Sequence, residues 1–278
     1  MTERGPRAIK TLSEILDGYD AVFCDVWGVI HNGLSVFRDA ERALREARAA
    51  GTRVLLITNS PRRSAGVETQ LASLGLGRDS YDDIVTSGDV TRELIRQAPG
   101  PVFHIGPRRD DEIYEDLPVQ RVDEADAEAI VVTGLFDDEA ETPEDYAPLL
   151  GRLAARGLPM ICANPDIVVQ RGDRLVFCAG ALARDYAALG GPVRLAGKPH
   201  RPIYEVAAAR IGGVDGKRVL AIGDGLATDI KGANGFGLDA LLVLAGIHGA
   251  ELGDDPAAIG RHLEAQGLSA AYVIAALG

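Results

Sequence analysis

Four apolar runs in this 278-residue chain end on groups able to do chemistry. Asp25 closes Ala21-Val22-Phe23-Cys24, and Gly28 loosens the turn just beyond it. Thr58 and Asn59 close a second run that begins at Arg53, RVLLIT. Lys198 stands in Gly197-Lys198-Pro199-His200, ahead of a helical segment. Asp224 and Asp229 lie in GDGLATD, directly after Val219-Leu220-Ala221-Ile222. A carboxylate delivered by a buried strand to the open end of an α/β sheet is a candidate nucleophile or metal ligand. Singly, each signal has a plainer reading: Asp224 as a turn residue, Lys198 as a solvated charge, Thr58-Asn59-Ser60-Pro61 as a helix start. Together, in chain order, they make one coherent site.

Such groups need rigid strands to carry them. Residues 21–25, 53–58, 219–223 and 240–244 read as strands, with helices expected at 39–50, 202–211, 227–234 and 256–266. These strands are continuous β-branched and Leu runs, not alternating ones, which indicates helices on both faces of a mostly parallel sheet. The middle of the chain repeats the pattern at 101–105, 129–133 and 159–163, with a helix expected at 143–156. Its acidic stretch 109–128 reads as solvated surface. The expected fold is α/β: a doubly wound, Rossmann-like parallel-sheet core formed by 1–87 and 191–278, with an inserted α/β domain at 88–190.

Composition narrows the function. Lys and Arg number 29 against 41 Asp and Glu, a net charge of −12, so nucleic acid and anionic membrane are poor partners. Any phosphate site must be assembled locally. Cys24, Cys162 and Cys178 form no CxxC pair and suit a reducing compartment. The first twenty residues hold no apolar leader core, and no later run reaches membrane-spanning length. A cytoplasmic location is the expectation.

The ordered set Asp25, Thr58, Lys198 and Asp224/Asp229 resembles the four motifs of the haloacid dehalogenase (HAD) superfamily of hydrolases. Leu56-Ile57-Thr58-Asn59-Ser60 and Ala163-Asn164-Pro165-Asp166 resemble the class IIA branch, whose large α/β cap lies between the second and third motifs. Cys178-Ala179-Gly180-Ala181-Leu182, shortly before Gly197-Lys198-Pro199, also fits. The resemblance implies a Mg²⁺-dependent phosphatase acting on a small phosphorylated metabolite through an aspartyl-phosphate intermediate. Asp25 would be the nucleophile. Asp25, Asp224, Asp229 and the Trp27 carbonyl would hold the metal, whose hard-oxygen preference those groups satisfy. Thr58, Asn59 and Lys198 would bind phosphate, with Thr58 and Lys198 also stabilising charge in the transition state. Asn164 and Asp166, with Arg171 and Arg174, are the candidate substrate contacts of the cap, within 133–138 and 164–182. Related proteins often pair through the cap, so a homodimer is open, although no apolar stripe marks an interface.

Trp27 departs from the resembled pattern. In the phosphatases of that family the residue two after the nucleophile is an Asp that protonates the leaving alcohol and then activates water. An indole N–H does neither. Alkyl phosphates should therefore be slow unless another group, such as His31, supplies the proton, whereas aryl and acyl phosphates need less help. Three readings stay open: a phosphatase with altered acid/base chemistry, a catalytically attenuated phosphate-binding protein, and a 2-haloacid-type dehalogenase. Asp224 and Asp229 weigh against the last, because carboxylates facing Asp25 repel it unless a cation joins them.

Overall fold

The computed structural model describes residues 5–171, 174–216, 218–245 and 252–278. Its strands, in chain order, begin with β1 (Arg7–Ala8), β2 (Ala21–Cys24), β3 (Arg53–Thr58), β4 (Asp83–Thr86), β5 (Val102–Ile105), β6 (Ala129–Val132) and β7 (Met160–Cys162). They continue with β8 (Val168–Arg171), β9 (Arg174–Phe177), β10 (Val193–Leu195), β11 (Val219–Gly223), β12 (Asp239–Val243) and β13 (Tyr272–Ile274). The helices are α1 (Arg38–Ala49), α2 (Ser64–Ser73), α3 (Ser87–Arg96), α4 (Ala147–Ala155), α5 (Ala179–Ala188), α6 (Arg201–Arg210), α7 (Lys231–Phe236) and α8 (Pro256–Ala265).

The chain divides into two compact units, one of Met1–Thr58, Glu68–Val85 and Lys198–Gly278, the other of Asn59–Val67 and Thr86–Gly197. The first is built on a seven-stranded sheet of order β1-β13-β12-β11-β2-β3-β4. Pairing is parallel from β1 through to β3. Val22, Leu55, Leu56, Leu220 and Leu241 are completely buried. Burial on both faces is why these strands read as unbroken apolar runs. On α1, Ala40, Ala43, Leu44 and Ala47 recur on one face and are all buried, as a helix laid on that sheet requires. The expected helix at 227–234 begins instead with a π-helical turn, Leu226–Ile230, before α7 takes over.

The second unit carries a four-stranded parallel sheet of order β10-β7-β6-β5 and a separate antiparallel hairpin, β8–β9. Ile130, Val132, Leu150, Leu153, Met160 and Tyr186 form the heart of its core. Residues 59–67, which the sequence reading places with the first unit, cluster with the second. The Gly88 N–H donates to the Ser60 carbonyl at 3.0 Å, and Asn59 bonds Asp166. The acidic stretch 109–128 is not simply solvated surface. Asp110 is buried and accepts from the Thr133 hydroxyl, and Ile113 is completely buried, because a 3₁₀ segment at Arg108–Tyr114 packs into the core.

Asp82 ties the segment before β4 to β3. It accepts from Arg48 Nε at 3.0 Å and Nη2 at 2.7 Å, and from the Val54 N–H at 2.8 Å. Burial opposes its charge, but Arg48 and that N–H prevail and hold its pKa below the usual 3.8. A depressed carboxylate pKa contributes stability above the unfolded value and loses it as pH falls through the folded one. Asp82→Asn should therefore be less stable than the parent at neutral pH, and the gap in urea midpoint should close as pH drops below 3.8.

Candidate active site

Sheet order explains how distant residues meet. From β2 the chain adds β3 and β4 on one side, and from β11 it adds β12 and β13 on the other. The order reverses between β2 and β11, and the crevice at the carboxyl ends of such neighbours is the binding position of open α/β sheets. Ile222 pairs with Cys24 and Cys24 with Leu56, so the three strands end along one edge. Asp25 follows β2, Asp224 follows β11, and Thr58 closes β3, all three buried. The Asp25 N–H donates to the Ile222 carbonyl at 2.8 Å, which pins the nucleophile candidate to its neighbouring strand.

Gly28 lets the following loop close on Asp224. Its φ is +85°, and a Cβ there would lie 3.0 Å from the Asp224 carboxyl carbon. No L side chain fits without moving that carboxylate. The loop then folds back on itself: Gly28 N–H donates to the His31 carbonyl at 2.8 Å, and Phe37 N–H to the Ile30 carbonyl at 2.8 Å.

Lys198 joins the two ends of the site. Its Nζ donates to Asp25 Oδ1 at 2.5 Å and to Asp229 Oδ1 at 2.6 Å, with all three side chains buried. The other oxygen of Asp229 accepts from the Gly225 N–H at 3.1 Å and the Thr228 hydroxyl at 3.3 Å. The π turn thus holds Asp229 from both ends, which suits it to orienting Lys198; π turns are frequent at such sites. Burial works against the Lys198 ammonium, yet Asp229 and Asp25 outweigh it and keep its pKa well above the ordinary value. Burial, then Asp229, drives the Asp25 pKa well up against the opposing pull of Lys198, and Asp224 adds to the rise.

The donor set fits a divalent cation. Oxygens of Asp25, Asp224 and Asp229 lie within 4.8 Å of one another, and three carboxylates against one ammonium leave a formal charge of −2. Like charges held that close in a dry setting call for a counter-ion, and carboxylate oxygens are what Mg²⁺ prefers.

The remaining candidates belong to the second unit. Asn59 belongs to the second unit, where its Nδ2 donates to Asp166 Oδ1 at 2.8 Å; Asn164 Oδ1 in turn accepts the Asp166 N–H at 3.0 Å. The Asn59 amide is thus engaged with Asp166. Arg171 pairs with Asp138 at 2.9 Å and Arg174 Nη2 donates to the Glu139 carbonyl at 3.3 Å, so both anchor the hairpin to the 133–139 segment. Residues 172–173, inside the 164–182 stretch singled out above, lie outside the described residues.

His31 is fixed within the loop that follows β2. It is 2% exposed, its Nδ1 accepts the Gly33 N–H at 2.8 Å, and burial lowers its pKa to about 4. Sequence reasoning missed Thr228 and Tyr204. The Tyr204 hydroxyl donates to the Asp229 carbonyl at 3.4 Å, and at Gly232 a Cβ would press on that ring. Only the GDGLATD spacing hinted at Thr228, and nothing in the sequence marked Tyr204.

Comparison with known proteins agrees with this geometry. A model for haloacid dehalogenase-like hydrolases matches residues 22–120, and a HAD-hydrolase-like model matches 195–269. The chain belongs to the haloacid dehalogenase-like hydrolase family. A D-glycerol 3-phosphate phosphatase of Mycobacterium tuberculosis is 30% identical over 256 residues, 86% of this chain and 67% of that protein. The 5′-nucleotidase YutF of Bacillus subtilis is 30% identical over 235 residues, 82% of this chain and 88% of its own. A crystal structure of a family hydrolase from Brucella suis superposes with a TM-score of 0.88 at 49% identity, covering 97% of this chain and 100% of that one. The glycerol phosphate phosphatase of M. tuberculosis in complex with magnesium gives 0.67 at 25% identity, over 89% and 78% of the two chains.

Two variants probe the site's construction. Lys198→Met strands two buried carboxylates and should cost about 3–5 kcal/mol in urea denaturation, with added Mg²⁺ restoring more stability to the variant than to the parent. Gly28→Ala should cost about 1–2 kcal/mol for its left-handed backbone alone and also weaken Mg²⁺ binding measured by calorimetry, because the new methyl displaces Asp224.

Proposed function

We propose that the chain is a Mg²⁺-dependent phosphatase acting on a small phosphorylated metabolite through a phosphorylated Asp25. The observation that carries the reading is Lys198 bonded to Asp25 and Asp229 at the switch point, with Asp224 beside them, in a member of this hydrolase family. The relatives' names, a glycerol-phosphate phosphatase and a nucleotidase, support a phosphate ester as substrate.

Lys198 binds Oδ1 of Asp25, which leaves Oδ2 to attack phosphorus. The Thr58 hydroxyl and the Lys198 ammonium donate to phosphate oxygens and stabilise the charge that spreads over them in the transition state. The backbone at Asn59 adds a further phosphate contact. Asp25, Asp224 and Asp229, with the carbonyl of Trp27, would hold Mg²⁺, which when bound offsets the repulsion between an anionic nucleophile and an anionic substrate. The second unit serves as the cap, and Asn164 and Asp166, braced by Asn59, are its substrate contacts. An acidic chain in which no described helix is long and apolar enough to cross a membrane suits a small-molecule partner better than nucleic acid or lipid.

The test is phosphate release from p-nitrophenyl phosphate. Activity should require Mg²⁺, disappear with EDTA, and fall on the order of 10³-fold or more in Asp25→Asn. Metal and phosphate binding without turnover across a broad panel of phosphate esters would replace this reading with a binding protein. Halide release from a 2-haloacid without Mg²⁺ would replace it with a dehalogenase.

A further inference from the structure

Helix α7 carries, at Gly232, a residue that its own backbone does not require. Gly232 is buried, second in the helix, and its φ lies outside the left-handed region. Glycine at a helical position is less favourable than alanine, so a neighbour has to call for it. That neighbour is Tyr204 of α6. A Cβ on Gly232 would stand 2.3 Å from the Tyr204 hydroxyl oxygen, 2.7 Å from Cε2 and 2.8 Å from Cζ. Tyr204 is 2% exposed, so its ring has no solvent to retreat into. The glycine is a notch in α7, and the phenol fills it. A ring that only filled the core would serve as well as phenylalanine, with no buried hydroxyl to house.

The notch puts that hydroxyl at the residue that braces Lys198. The Tyr204 hydroxyl donates to the Asp229 carbonyl at 3.4 Å. The bond is long, and packing is what sets the hydroxyl's place. Phe236 of α7 stacks on the Tyr204 ring, with centroids 5.4 Å apart and planes at 25°. Arg201, a turn earlier on α6, lies 4.9 Å from the centre of the Phe236 ring and donates to the Gly235 carbonyl at 3.5 Å. Asp229 is therefore held twice by one stretch of chain: Lys198 meets its carboxylate at 2.6 Å, and Tyr204 meets its carbonyl. A lysine on its flexible four-carbon stem fixes a distance, and a second attachment to the backbone fixes a direction. β11 closes another side, since a Cβ on Gly223 would lie 2.2 Å from the Asp229 carboxyl carbon.

We infer that Tyr204, seated on Gly232, is a positioning residue for phosphoryl transfer. It holds the π turn so that Asp229 presents its carboxylate to Lys198, and Lys198 is thereby kept on Asp25. Tyr204 touches no reacting atom and acts only through Asp229. Its effect on rate rests on the phosphatase reading, whereas its hold on the π turn does not. Lys198 stabilises transition-state charge only while its ammonium stays in place, so a loosened π turn lowers kcat more than it weakens substrate binding.

The experiment compares the wild type with Tyr204→Phe, Gly232→Ala, the double variant and Phe236→Leu. It measures kcat and KM for p-nitrophenyl phosphate with Mg²⁺, Tm, and hydrogen exchange at the Asp229 and Ile230 amides, which both donate to the Gly225 carbonyl. Tyr204→Phe keeps the ring and its stack, so Tm should hardly move. Its kcat should fall roughly threefold to tenfold with KM within about twofold, the range of one hydrogen bond. Its two π-turn amides should exchange roughly threefold to tenfold faster, with those of β11 unchanged. Gly232→Ala unseats the phenol and should lose at least as much kcat, and adding Tyr204→Phe to it should cost little more. Phe236→Leu should lower Tm and leave kcat unchanged. An unchanged kcat or unchanged π-turn exchange in Tyr204→Phe, or kcat losses that follow Tm across the series, overturns the inference. Tyr204 then only fills the core, and the phosphatase reading stands. An inert wild type overturns the phosphatase reading, and amide exchange alone then decides whether Tyr204 holds the π turn.

Discussion

The structure of the first unit is organised around one electrostatic conflict. Three carboxylates converge within a few ångströms at a buried strand edge, and Lys198 is the ammonium that bonds two of them. Desolvation penalises every charge there, and Lys198 with the donors to Asp229 offsets part of that penalty while a formal charge of −2 remains. Asp229 is satisfied three times over, by Lys198, the Gly225 N–H and the Thr228 hydroxyl. Asp25 receives Lys198 through one oxygen only. The asymmetry is geometric: one carboxylate is held through both oxygens, and the other accepts Lys198 through one.

The surrounding fold is what makes such a conflict tolerable. β11, β2 and β3 are parallel, adjacent and buried on both faces, so their ends are fixed by hydrogen bonds and packing independently of the charges they carry. Reversal of strand order between β2 and β11 opens the crevice in which Asp25 and Asp224 face one another. Gly28 then admits the loop backbone to within a methyl's width of Asp224, and Gly33 does the same for the Trp27 ring. Hydrophobic burial supplies the rigidity, and the glycines supply the close approach.

Much of this was legible along the chain. The runs at 53–58 and 219–223 form β3 and β11 with those bounds, because strands buried on both faces leave an unmistakable apolar block. The short edge strands β1 and β4 and the hairpin β8–β9 were not legible, since two to four residues with mixed polarity carry little periodic signal. The acidic stretch misled for a related reason. Charge density there suggested solvent, whereas Asp110 turns inward to Thr133 and Ile113 fills the core. The π turn was read as ordinary helix, because nothing in its residues distinguishes a widened turn until Gly225 accepts both the Asp229 and Ile230 N–H groups, at 2.9 and 3.1 Å.

By itself, the sequence determined which chemistry is available: an aspartate, a threonine, a lysine and an acidic pair at strand ends, with a tryptophan where a proton donor was expected. Those facts are local, and residue types with their spacing express them. Tertiary structure alone decided which carboxylate Lys198 braces and which it leaves half free, that Asn59 is engaged with Asp166, and that His31 is locked by Gly33. Each of those outcomes depends on distances across strands or loops and on exclusion of water, and neither quantity is written in the order of residues along the chain.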